Sequence, residues 1–324
     1  MRLKRRQVLQ FAALAATLPV TSAVGRAQSY PSRPVRLIIG YYPGNTADEI
    51  ARLWARWLSL RLDQPFIVEN QPGQLTTRAA RAAVCAPADG HTLLLISAAN
   101  AINNAIYRRL NSHLDFDLSR DVVPLAAIVR DPMVIAVSPS FSLNTFPQLL
   151  SHTRVHRGWL AMALVGMGYS SHLPRALRMS LGLDVLEVSY PGDASAIAGQ
   201  LRGRLQVVFG TTRAMIPAIK AGKLRALAVT AATRVGALPD VPTIAETFPG
   251  YEAHDWFGIA APSGTPPDVL ESLNRQINAG LSDPTMMSAL AALHARLVPG
   301  TVADAVKLVS DDTDKWNEMF SNYF

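Results

Sequence analysis

The residues best placed to do chemistry lie between positions 166 and 172, where Gly166-Met167-Gly168-Tyr169-Ser170-Ser171-His172 follows an apolar run. A serine on a sharp strand-to-helix turn is the layout of a hydrolase nucleophile, and Gly168-Tyr169-Ser170-Ser171-His172 has that outline. His172 replaces the closing glycine, however, and a histidine so near in sequence is poorly placed as the base. Gly166-Met167-Gly168 also begins a dinucleotide fingerprint, but Ser171 takes the final glycine position and no suitable ribose-binding acid ends the next strand about 20 residues on. His152 and His156 are four apart, so one helix face could offer both to a metal. No acidic residue stands beside them, and a solvated surface explains the pair. Asp48 and Glu49 could form an acid–base couple, yet first-turn carboxylates complementing a helix dipole explain them more simply. Cys85 is the single cysteine, which excludes an internal disulfide and a multi-cysteine metal site. Neither catalysis nor a cofactor nor a metal is expected.

The elements that position these residues follow from apolar spacing. Val35–Ile39 reads as a strand, Gly40–Asn45 as a loop, and Ile50, Leu53, Trp54, Trp57 and Leu58 as one face of a helix. Thr46 and Glu49 have capping-box spacing, which starts that helix near residue 46. Phe66–Val68 and Thr92–Ile96 read as strands around a short Ala/Arg helix at Thr77–Val84. A second unit repeats the pattern, with strands at Leu160–Val165, Val185–Val188, Gln206–Phe209 and Leu224–Val229. Helical segments lie near Leu173–Leu181, Ala194–Leu201 and Arg213–Ala221. The Pro-rich stretch Leu238–Pro249 reads as a return crossing before Trp256–Ala260 and a helix at Pro267–Leu281. Such alternation predicts α/β architecture in two lobes, each a mostly parallel sheet flanked by helices, with a hinge between them. Ligands of such sheets sit beyond the strands' carboxyl ends, where helix N-termini favour acidic groups. Tyr41–Thr46, Ser97–Asn100, Gly166–Ser171, Tyr190–Ala194 and Gly210–Arg213 are the corresponding loops, although turn formation and helix capping account for any one of them alone.

The 324 residues include 31 Lys+Arg against 24 Asp+Glu and are 49% hydrophobic, the composition of a soluble globular chain of about two domains. Residues 1–27 have a signal-peptide layout: Arg2, Lys4, Arg5 and Arg6, then an apolar run from Val8 to Val20, then Gly25-Arg26-Ala27. Arg5-Arg6-Gln7-Val8-Leu9 also resembles a twin-arginine signal, with Val8 where phenylalanine is more usual. Five basic residues and no acid lie in this segment, so its removal leaves 26 basic against 24 acidic residues. No basic stripe with interleaved aromatics remains in the sequence, which removes the warrant for nucleic-acid binding. The expected location is the periplasm.

Several longer motifs carry a resemblance. Tyr30-Pro31-Ser32-Arg33-Pro34-Val35-Arg36, Pro43-Gly44, Val68-Glu69-Asn70-Gln71-Pro72-Gly73 and Asp89-Gly90-His91-Thr92-Leu93-Leu94 are followed by Lys220–Thr230, Leu238–Glu246 and Trp256–Pro262. In this order, over nearly the whole mature chain, they resemble the Bug family of extracytoplasmic solute receptors of tripartite tricarboxylate transporter systems. The resemblance implies a type II periplasmic binding protein, with residues 28–140 and 252–324 in lobe 1 and 141–251 in lobe 2. It implies a monomeric receptor, not an enzyme, that closes on a small carboxylated metabolite and presents it to membrane transporter subunits. A membrane sensor partner and a secreted hydrolase using Ser170 and His172 are the alternatives. Carried over by position, Tyr42, Gly44, Asn45, Thr46, Ser97 and Ala98 would bind ligand from lobe 1. Gly166, Gly168, Ser170, Ser171, Tyr190, Gly192 and Asp193 would do so from lobe 2.

Departures from the family pattern bear on the ligand. Paired glycines after Pro43 are replaced by Gly44-Asn45, the glycine-rich turn after Asn70 reads Gly73-Gln74-Leu75-Thr76, and Gly210 stands where aspartate is common. Asp193 replaces a small neutral residue. A carboxylate there opposes a polyanion and favours an amino acid or amide, unless it caps its helix and points outward. Arg213 could clamp a carboxylate or simply face solvent.

Overall fold

The computed structural model describes residues 30–73, 76–109, 115–165, 176, 178–190, 193–293 and 297–321. The chain opens as a βαβαβ unit. Strand β1 (Val35–Ile39) leads into helix α1 (Thr46–Leu62), then β2 (Phe66–Asn70), α2 (Thr77–Val84) and β3 (Thr92–Ser97). Along β1, Val35, Leu37 and Ile39 face one side and Ile38 the other, and all four are buried because helices cover both faces. The cap of α1 sits one residue before the expected Thr46. Asn45 accepts the Asp48 N–H at 2.9 Å, and Asp48 rather than Glu49 reaches back to the loop.

Helices α3 (Ala98–Arg109) and α4 (Leu118–Asp121) bring the chain to β4 (Val122–Val137), a 16-residue strand. The second unit follows as α5 (Phe146–Val155), β5 (Ala161–Val165), β6 (Leu186–Tyr190), α6 (Asp193–Leu201), β7 (Val207–Thr211), α7 (Thr212–Lys220) and β8 (Arg225–Val229). A 3-10 turn at Ile244–Glu246 lies on the return path to β9 (His254–Pro262). Helices α8 (Pro267–Leu281), α9 (Pro284–Ala292) and α10 (Val302–Ser321) complete the chain. No helix among the described residues is long and apolar enough to cross a membrane.

Among the described strands the order is β2-β1-β3-β9-β4-β7-β5-β6, with β8 also paired to β4. Pairing is parallel at the outer ends, β1 with β2 and β3, and β5 with β6 and β7. It is antiparallel where β9 and β4 pass through the middle. The sheet is therefore mixed, parallel in its βα units and antiparallel at the crossing. Val122–Pro132 of β4 pair with β9, whereas Met133–Val137 pair with β7 and β8. One strand thus belongs to both lobes and changes partners between Pro132 and Met133.

Thr230 fastens that point. Its hydroxyl accepts the Met133 N–H at 2.8 Å and donates to the Ala253 carbonyl at 2.6 Å, so β4 and both ends of the return path share one buried side chain. Helices α1 and α8 cover one face of the first lobe with Trp54, Leu58, Leu273 and Ile277. On the other face, α2, α3 and Trp316 of α10 join a core that continues into the second lobe through Met133, Ile135, Phe146 and Phe209. A separate cluster around Val134, Val208 and Met215 covers the opposite face of that lobe.

Candidate functional site

The register brings the carboxyl ends of both lobes' strands to the crossing. In the first lobe Ser97, the last residue of β3, lies opposite Phe257, which lies opposite Val129 of β4. In the second, Thr211, the last residue of β7, lies opposite Met133 of β4. Val129 and Met133 are four residue steps apart along the strand, about 13 Å at strand rise. Two sets of strand-to-helix loops therefore face one another across a short stretch of β4 and β9, where sheets of this kind bind ligands.

The first-lobe loops are built on buried polar side chains. At the start of α1 the Asp48 carboxylate accepts from the Gly44 N–H (2.9 Å), Arg52 Nε (2.9 Å) and Asn70 Nδ2 (2.9 Å), and Asn70 also donates to the Tyr41 carbonyl (3.0 Å). Burial pushes this carboxyl up, but the bonds from Arg52, Gly44 and Asn70 outweigh burial and hold it below the ordinary aspartate range. The Tyr41 ring packs edge-on against Phe257 at 5.8 Å, which seats the loop over the crossing strands. Gly44 has φ of +80°, so a side chain there would be strained.

Beside this lies a second network. Asn100 Oδ1 accepts from Ser97 N (3.0 Å) and Ser97 Oγ (3.1 Å), and Asn100 Nδ2 donates to Thr76 Oγ1 (2.9 Å). Thr76 is left-handed, with φ of +67°, and rests directly on Gly40.

In the second lobe α7 starts without an intervening loop, capped by the Thr211 hydroxyl, which accepts from the Ala214 N–H. The next hydroxyl, on Thr212, donates to the buried Asp131 carboxylate of β4 and so ties this helix start to the crossing strand. Asp131 and Asp255 are directly opposed in the β4–β9 ladder and project from the same face as Val129 and Phe257. On the reverse face, Arg130 pairs with Glu252 at 3.2 Å, and Glu252 approaches the buried His254 Nδ1 at 3.5 Å.

Among the sequence-derived residues, Tyr42, Gly44 and Asn45 share the loop before α1, Thr46 is the first residue of that helix, and Ser97 and Ala98 form the buried β3–α3 junction. Tyr42 is 57% exposed. The tip of Tyr190 abuts Gly199 on α6, so its ring packs on the second-lobe core and its backbone is what borders the strand end. Asp193 opens α6. Gly166, Gly168, Ser170, Ser171 and Gly192 lie outside the described residues, as does His172, so the elbow reading rests on sequence alone. The rings of His152 and His156 lie 4.5 Å apart and tilted to one another at the C-terminal end of α5, and the described residues contain no cluster of potential metal ligands. Sequence reading placed Thr76 and Asn100 only within loops and Thr230 only within a motif, and it did not single out Asp131, because the bonds Thr76–Asn100, Asp131–Thr212 and Thr230–Met133 join residues far apart along the chain.

The model of the family described as "Tripartite tricarboxylate transporter family receptor" matches residues 50–323. Three solved structures share the fold and 26–30% of residues. Rpa4515 of R. palustris with adipate is 30% identical, with a TM-score of 0.75 over 90% of this chain and 97% of that one. The periplasmic binding protein BugD is 29% identical, with a TM-score of 0.73 over 90% and 98%. MatC (Rpa3494) from Rhodopseudomonas palustris with bound malate is 26% identical, with a TM-score of 0.75 over 90% and 99%.

Proposed function

The chain belongs to the tripartite tricarboxylate transporter receptor family, and from that premise we propose that it captures a small carboxylate between its lobes in the periplasm and hands it to membrane transporter subunits. The family is one of solute receptors, not enzymes. The observation that carries the reading is the convergence of Ser97 and Thr211, one from each lobe, on Val129–Met133 of the shared strand. Opposed strand ends make a cleft whose width depends on the angle between lobes, which suits capture by closure.

Adipate and malate in the related structures make dicarboxylates of similar size the first ligands to test. In this reading Tyr42, Gly44, Asn45, Thr46, Ser97 and Ala98 face the ligand from the first lobe. Gly166, Gly168, Ser170, Ser171, Tyr190, Gly192 and Asp193 do so from the second, and Thr212 joins them. Amides at the starts of α3 and α7 supply donors and partial positive charge without a cationic side chain. The lobes are residues 28–140 with 252–324 and residues 141–251, with β4 shared at the hinge. Residues 1–27 act as the export signal.

Unfolding and refolding the purified protein removes any ligand carried through purification. Calorimetric titration with adipate and malate then yields saturable one-to-one binding with one of them, together with a raised melting temperature. A refolded protein that binds no dicarboxylate, amino acid or amide would refute the receptor assignment.

A further inference from the structure

The far edge of the second lobe carries a surface that ligand capture does not use. Ala161, Leu186, Val207 and Arg225 align at the starts of β5, β6, β7 and β8, beside Val137 at the end of β4. This edge is opposite the one bearing Val165, Tyr190 and Thr211. The segments entering it bring Arg154 and Arg157 at the end of α5 and just beyond, Arg202 and Arg204 after α6, and Lys220 and Lys223 at the end of α7 and just beyond, all exposed. Facing them is Asp184, 3.8 Å from Arg157, while Glu187 is already paired with Arg178 at 2.8 Å. Three apolar side chains stand among the cations: Trp159 is 79% exposed, Val155 75% and Leu186 60%.

We propose that this edge rests on anionic phospholipid headgroups and holds the receptor reversibly at the membrane surface. Cations spread over separate loops along one front match a diffuse layer of negative charge, because each contributes by attraction to surface potential rather than by fitting a recess. Tryptophan favours the boundary between headgroup and acyl chain, and arginine stems bury their methylenes there while the guanidinium stays wet. Protein interfaces, by contrast, deplete charge at their centres and sink aromatic anchors into packed cores, whereas Trp159 stands exposed among six cations. The inference is independent of which ligand occupies the cleft.

Sedimentation with phosphatidylglycerol vesicles tests it, with phosphatidylcholine vesicles alongside. Binding to phosphatidylglycerol alone, weakened by salt, is expected. Arg154→Gln with Arg157→Gln should weaken it roughly thirtyfold. Trp159→Ser should weaken it without altering the salt dependence. Arg56→Gln with Arg275→Gln removes equal charge from exposed first-lobe positions and should have a much smaller effect. Thermal melts of each variant show that it is folded. The proposal is overturned by absence of phosphatidylglycerol binding at low salt or by equal losses in both double variants. Binding only to vesicles that contain the transporter's membrane subunits also overturns it, and assigns the edge to a protein.

Discussion

Asp48 is the residue on which the first-lobe loop depends, because one buried carboxylate accepts from Gly44, Arg52 and Asn70. Asp48→Asn turns an acceptor of three donors into a neutral amide with one oxygen, at a cost of about 2 kcal/mol in a urea melt near neutral pH. The pH dependence has a definite sign. Its folded-state value lies below the ordinary 3.8, so its contribution is complete above that pH and is lost as pH falls through the lower folded value. Acid titration of stability should therefore be shallower in Asp48→Asn than in the natural protein below pH 3.8. Sequence showed a helix start here but not its wiring. Asn45 and Thr46 are both capping types, and only the backbone path decides that Asn45 caps and that Asp48 turns inward. The buried bond between Thr212 and Asp131, 81 positions apart, left no local trace at all.

At the scale of elements, strong periodicity was fully legible: Thr77–Val84 and Pro267–Leu281 form the helices expected, residue for residue. The crossing strand was not. Val122–Val137 carries Pro124, Arg130, Asp131 and Pro132 within its apolar run, and those interruptions belong to bulges and to the change of partners at residue 132. A pattern read over one sheet cannot anticipate a strand that serves two. Packing between β1 and the start of α2 gives a reciprocal test. A methyl at Gly40 would lie 2.2 Å from Thr76 Cγ2 and 2.9 Å from its Cα, so Gly40→Ala must push the loop away. Overpacking of this kind costs about 1–3 kcal/mol. Thr76→Gly removes the obstructing side chain and suits the left-handed backbone, but it forfeits the Asn100 bond and leaves the Thr76 Cα in place, so the double variant should lose less melting temperature than the two single losses summed. Additive losses in the double variant would show that the two do not touch. Thr230→Val at the partner change leaves the Met133 N–H buried without its acceptor, a loss of about 1–3 kcal/mol in the same assay.

For the whole molecule, closure predicts that saturating ligand shrinks the radius of gyration in solution scattering, and an unchanged profile with bound ligand would require a preclosed cleft. The hinge must flex while one core runs continuously behind it, through Trp256 and Trp316 as well as Met133 and Phe209. Asp312 stiffens that side, accepting from the Trp256 indole at 2.9 Å and the Trp316 indole at 3.1 Å. The insertion of β9 between β3 and β4 also sets an order in time. Every strand of the second lobe's sheet has been synthesised by Val229, whereas β3 has only β1 beside it until His254–Pro262 emerges, and α3 lacks α10 until the last residues do. A chain still being made therefore holds its N-terminal third open and waiting, and a chain cut short before α10 presents the bare flank of α3 to proteases and chaperones.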